Sequence, residues 1–270
     1  MTSGTLARRI VPPVPLGGRN ALRVIERNLL VYKRTWMVVF SGFFEPVFYL
    51  FSIGVGIGQL VGDVAAGSGA PVSYAEFVAP GLLAASAMNG AVFESTMNIF
   101  FKLKYARIYD AMLATPLAAG DVAIGEIGWS QLRGAIYAAG FLVVMLIGGL
   151  MPSMWGLLAL PAALLIGFGF AGVGMAVTTF MRSWQDFDMI TLVTLPLFLF
   201  SATFYPLSVY PGWLQVVAQL SPLYHGVDLI RGLTLGVLDW SLLGHAAFLL
   251  GMGFTGLAIA SRRVEKLLLS

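Results

Sequence analysis

The chain has 270 residues, of which 58% are hydrophobic and only 11% charged, with a mean hydropathy of +0.85. Soluble domains carry about 25% charged residues, so a soluble domain is excluded and the chain reads as an all-α, polytopic membrane protein. There are no cysteines, which excludes disulfides, thiolate metal sites and cysteine nucleophiles, and the net charge of +3 is accounted for below without nucleic acid.

Residues 1–18 hold Pro12, Pro13, Pro15, Gly17 and Gly18 and read as a flexible tail. The first apolar run begins near Val38, behind a long basic leader, so no cleaved signal peptide is expected. Over residues 19–36, Leu22, Ile25, Leu29, Tyr32 and Trp36 recur at spacings of three and four, with Arg19, Arg23 and Arg27 on the other side. This is an amphipathic helix with a basic face, suited to the headgroup region of a bilayer or to a protein partner.

Six spans are expected within residues 37–261. They cover about Met37–Leu60, Phe77–Phe100, Gly125–Met151, Trp155–Met181, Met189–Phe204 and Trp240–Ala260. Most have the roughly 20 residues that cross a hydrocarbon core of about 30 Å. Gly62, Gly67, Gly69 and Pro71 mark a loop after the first, and Arg182–Asp188 a polar turn after the fourth.

Between spans two and three, residues 106–114 read as a short amphipathic helix. Tyr109, Met112 and Leu113 share one face, while Arg107 and Asp110 share another, and Thr115-Pro116 ends it. After span five, Pro211 opens a short helix over Gly212–Leu220, and Ser221-Pro222 opens a second toward Leu233. Two short helices within residues 205–238 are expected to form a re-entrant hairpin from outside. Residues 262–270 close the chain with Arg262, Arg263 and Lys266.

With both termini cytoplasmic, every one of the sixteen basic residues except Arg231 lies in or near a cytoplasmic segment. Tryptophans agree: Trp36, Trp129 and Trp184 fall near the inner surface, and Trp155, Trp213 and Trp240 near the outer.

Two G-x-G-x-x-G matches, at Gly167, Gly169, Gly172 and at Gly251, Gly253, Gly256, lie inside expected spans. A dinucleotide site would need a preceding strand, so these read as small residues for close helix packing. No Walker A pattern is present, so an ATP-driven process would need another polypeptide to bind ATP. His225 and His245 are the only histidines, and no metal site is expected.

Three ionisable residues, Glu45, Glu94 and Arg133, lie at similar depth in the inner half, where charges are costly and mark function by default. Either Arg133 pairs with one of the two glutamates, tying spans together, or each faces a wet vestibule. Asn89 and Asn98 add polarity to span two, which lines a path or contacts a neighbour. Asp228 and Arg231, at i and i+3 on the second outer helix with Tyr224 one turn before, are a local ion pair or part of an outer gate.

The stretches Phe77–Met88, Phe93-Glu94, Tyr109–Pro116, Gly125-Glu126 and Pro222–Arg231 resemble those of ABC-2-type permeases. These are the pore subunits of ATP-binding-cassette exporters, and the likeness extends over nearly all of residues 20–265, strongest to the nodulation-factor-exporter (NodJ-like) branch. The resemblance implies a homodimer with two ABC ATPase subunits, which would bind ATP and Mg, while this chain binds no cofactor and is not itself an enzyme. It implies that Arg107–Leu113 is a coupling helix seated in the ATPase, with Tyr109, Met112 and Leu113 held there. It further implies that the outer helices close the exit, that spans one, two and five surround the path, and that an amphipathic substrate is exported. Rival readings are an ion-gradient transporter using Glu45 and Glu94, and an intramembrane enzyme, for which no nucleophile–base set is present.

Overall fold

A computed structural model describes residues 20–33, 44–65 and 71–269. The amino-terminal tail, Arg19 and residues 34–43, with Trp36 and the start of span one, lie outside the described residues. Helix α1 is Ala21–Lys33 and α2 is Phe44–Val61. A two-stranded antiparallel hairpin follows, β1 (Asp63–Ala65) and β2 (Pro71–Ser73), with Val64 opposite Val72. Then come α3 (Tyr74–Tyr105), α4 (Ile108–Leu113), α5 (Ala119–Ile147), α6 (Met154–Thr178), α7 (Asp186–Phe200), α8 (Gly212–Leu220), α9 (Pro222–Leu235) and α10 (Ser241–Leu269).

Among the described residues, α2, α3, α5, α6 and α10 are long and apolar enough to cross a membrane. The expected fifth span corresponds to α7, whose 15 residues fall short of that length. It stops at Ser201, and Ala202 follows at φ 56, because the chain turns there toward the outer helices. Span three starts at Ala119, six residues before the expected Gly125, and span two runs past Phe100 to Tyr105.

Helix α3 sits at the centre and packs on α5, α6 and α9. Ser73 caps it: its hydroxyl accepts from the Glu76 amide while Glu76 accepts from the Ser73 amide, a reciprocal pairing that satisfies two free donors. Its last third is interrupted by two π-helical stretches, Glu94–Asn98 and Phe101–Tyr105. Such wide turns inside α-helices occur frequently at functional sites.

The two glycine patterns pack against each other, as small residues at a helix crossing should. A Cβ at Gly172 would lie 2.5 Å from the Gly253 carbonyl oxygen, and one at Gly256 would lie 2.3 Å from the Gly172 carbonyl carbon. Helix α1 uses the same device against α5, with Gly125 under Val24 and Gly128 under Ile25. The buried face of α1 is Ala21, Val24 and Asn28, while Leu22, Leu29 and Leu30 stay exposed. An apolar stripe left uncovered beside a charged arc fits a helix lying along a bilayer surface.

Candidate functional site

Polar side chains in the bundle interior gather into two connected clusters. The first joins four helices around α4. Lys102 Nζ on α3 lies 2.7 Å from Glu126 Oε2 on α5, and Asn28 on α1 donates to the same oxygen at 3.1 Å. All three are buried, with Glu126 only 2% exposed. Tyr109 of α4 is buried as well. Its hydroxyl faces Glu126 but makes no hydrogen bond of good geometry, and Glu126 Oε1 is also unpartnered. Burial, reinforced by the Glu126 charge, holds the Tyr109 hydroxyl well above its ordinary value of 10.0. It is therefore a neutral donor aimed at a buried carboxylate.

This arrangement corrects the expected use of the short helix. Tyr109 and Met112 are turned into the chain's own core, with Leu113 half-buried, so they are not an open docking face. The reason is that α4 has a large apolar cluster beneath it in the same chain. Arg107, Asp110 and Ala111 are exposed on the opposite side. Arg107 itself adopts the left-handed conformation at φ 46 and breaks α4 away from α3.

The second cluster lies deeper. Arg133 of α5 pairs through Nη1 with Glu94 Oε2 of α3, choosing Glu94 rather than Glu45. Glu94 Oε1 accepts from Asn98 at 2.5 Å, one turn on within the first π-helical stretch. Arg133 Nη2 donates to the Tyr137 hydroxyl at 2.9 Å and Nη1 to that of Tyr32 at 3.4 Å. The guanidinium lies 5.1 Å from the Tyr32 ring centroid, within cation–π range. Tyr32 thus ties α1 to the Glu94–Arg133 pair, as Asn28 ties it to Lys102–Glu126.

A cavity of about 400 Å³ opens beside this pair, lined by Glu45, Tyr49, Asn89, Glu94, Arg133 and Tyr137 among others. Its walls are mostly carbon with a few converging polar groups, the usual make-up of a small-molecule site. Glu45 is exposed there.

At the other end, Asp228 and Arg231 do not pair with each other. Asp228 Oδ2 lies 3.1 Å from His245 Nε2, whereas Arg231 is buried against the chain. Its Nε donates to the Phe77 carbonyl at 3.2 Å and its Nη2 to the Ala202 carbonyl at 2.8 Å, with the guanidinium 3.9 Å from the Phe77 ring centroid. Arg231 therefore satisfies the Ala202 carbonyl, freed where α7 ends, and ties it to α3 at Phe77. Its position as the one basic residue away from the basic end follows, because it is an internal hydrogen-bond donor and not a surface charge. Tyr224, half-buried, stands edge-on to the His225 ring.

Sequence reasoning missed Asn28, Tyr32, Lys102, Glu126 and Tyr137 as site residues. Tyr137 is one turn from Arg133 on α5, but the others are brought together only by the crossing of α1, α3 and α5, across separations of 24 to 101 positions.

The ABC-2 type transporter family model matches residues 20–235, which takes in α1 to α9 and both clusters. The chain belongs to the ABC-2 type transporter family. It is 36% identical over 228 residues to Nodulation protein J of Rhizobium leguminosarum bv. viciae, covering 84% of this chain and 86% of that protein. Nodulation protein J of Rhizobium meliloti (strain 1021) is 33% identical, with 84% of this chain and 85% of that protein covered. Inner membrane transport permease YadH of Escherichia coli (strain K12) is 26% identical over 195 residues, 71% of this chain and 73% of that protein. ABC-2 membership and the five long apolar helices among the described residues make this a multi-pass membrane transporter permease.

Proposed function

We propose that the chain is the permease of an exporter driven by a separate ABC ATPase, which binds the ATP and Mg. The permease works as a homodimer with two ATPase copies, in the cytoplasmic membrane, with both termini cytoplasmic. In this reading α7 is the sixth membrane-crossing element, and α8 and α9 form an outer hairpin that dips back and closes the exit. The cavity beside Arg133 takes an amphipathic substrate, such as a lipid-linked saccharide, a lipid or a drug.

The observation that carries this reading is the path from α4 to the cavity. Tyr109 of α4 faces Glu126, which holds Lys102 near the end of α3, and the same helix carries Glu94 to the cavity wall eight residues earlier. The π-helical stretches lie along that path. A push on the exposed face of α4, at Arg107 and Asp110, would be delivered to α3 through buried polar contacts. An ion-gradient transporter is less well supported, because Glu94 is already neutralised by Arg133.

The test is charge reversal at Arg107 and Asp110 in the permease–ATPase complex. Transport and substrate-stimulated ATP hydrolysis should both fall at least about tenfold while the permease still inserts, a loss of about 1.4 kcal/mol in coupling. Intact transport in both variants would refute the coupling role.

A further inference from the structure

The only two histidines of the chain meet, although they stand on different helices. His225 Nδ1 of α9 lies 2.6 Å from His245 Nδ1 of α10, with ring centroids 4.9 Å apart. On its far side, His245 Nε2 lies 3.1 Å from Asp228 Oδ2, one turn after His225 on α9. The His225 ring stacks on Phe248 of α10 at 4.1 Å, and Tyr224 is edge-on to both imidazoles at 6.0 Å.

Two facing ring nitrogens at 2.6 Å need one proton between them. Two bare lone pairs would repel, and so would two N–H groups. Asp228 accepts from His245 Nε2–H and so sets the tautomer of that ring. In the neutral pair, His225 Nδ1–H donates to the bare His245 Nδ1. One added proton settles on His225 Nε2 while the shared proton passes to His245 Nδ1, so that His245 becomes an imidazolium beside Asp228 and His225 accepts through Nδ1. Both forms preserve the contact. A further proton charges both rings, puts N–H against N–H, and breaks it.

We propose that His225, His245 and Asp228 form a proton-binding site that clamps α9 to α10 while one proton lies between the imidazoles, and releases it when both rings are charged. The site does not depend on the export reading. The groups facing the pair are Tyr224 and Asp228 from α9 and Phe248 from α10; among the described residues the charges that act on His225 are those of His245 and Asp228. Arg231, on the same helix, is turned away to the carbonyls of Phe77 and Ala202. Burial, and then the His245 charge, hold His225 below its ordinary value of 6.5. The clamp is therefore fully present above about 6.5 and is lost as the pH falls below it.

Because no other histidine interferes, nitrogen-15 histidine NMR of the full permease in lipid nanodiscs reads the site directly. Between about pH 8 and 4.5, two coupled steps are expected, the second below the ordinary histidine value. Exchange of the α9 amides, corrected for the intrinsic rate, should rise about tenfold for each pH unit between the ordinary histidine value and that second step, and level off below it. His245→Gln should abolish the acid response of α9, and Asp228→Asn, which keeps both rings, should lower the first step. Two independent titrations at the ordinary value, or an unchanged acid response in His245→Gln, would overturn the proposal. So would stoichiometric Zn²⁺ binding that displaces the shared proton, which would make the pair a metal site. If His245→Gln does not fold, the wild-type titration and Asp228→Asn decide.

Discussion

Replacing Lys102 by Met tests the buried pair on which the coupling path depends. The substitution keeps the apolar stem and removes the ammonium 2.7 Å from Glu126 Oε2. Glu126, 2% exposed, is then left with a single donor, the Asn28 amide at 3.1 Å, while its Oε1 is unpartnered already. Removing one partner of a buried pair costs about 3–5 kcal/mol, because the surviving charge stays out of water. Glu126→Leu alone should cost a similar amount through the stranded Lys102. The double variant Lys102→Met/Glu126→Leu should recover most of the loss, since a well-packed apolar pair can equal or exceed a buried ionic one. The assay is reversible unfolding in mixed micelles, read as a double-mutant cycle, with ATPase stimulation measured on each folded variant. Single costs under about 1 kcal/mol, typical of a solvated surface pair, would refute the burial argument. Additive costs in the double variant would refute the pairing.

Gly256→Leu should abolish accumulation of folded permease, because its Cβ alone would meet the Gly172 backbone at 2.3 Å and backbone cannot give way; size-exclusion profiles of a fluorescent fusion report this, with Gly251→Leu, where nothing lies within 4 Å, as the tolerated control. Arg231→Met should cost about 1–3 kcal/mol for each carbonyl left unsatisfied, Ala202 among them, and should raise hydrogen exchange over residues 201–205; unchanged protection there would contradict the role of Arg231 as an internal donor.

Much of this molecule is legible without coordinates, because lipid imposes strong one-dimensional rules. A span needs a run of apolar residues, and Leu, Val, Phe and Gly in blocks show where those runs are. The short outer helices at Gly212–Leu220 and from Pro222 were readable from Pro211 and Ser221-Pro222, whose backbone preferences are local. The glycine patterns were readable as packing seams for the same reason: a side chain of zero size has a meaning that needs no partner to be named.

Tertiary structure decided everything that depends on which helix crosses which. Amphipathicity showed that Tyr109 and Met112 share a face, but it could not tell an open docking face from one closed by the chain's own core. Charge spacing offered Arg231 a partner at i−3, yet burial sent Arg231 to backbone carbonyls and gave Asp228 to His245. Arg133 had two candidate glutamates at equal depth, and only the rotation of α3 against α5 selected Glu94. The physical reason is common to all three. Polarity and apolar period are properties of a segment, whereas a buried charge is satisfied by whatever group the packing brings within about 3 Å, and that is settled only when the helices meet.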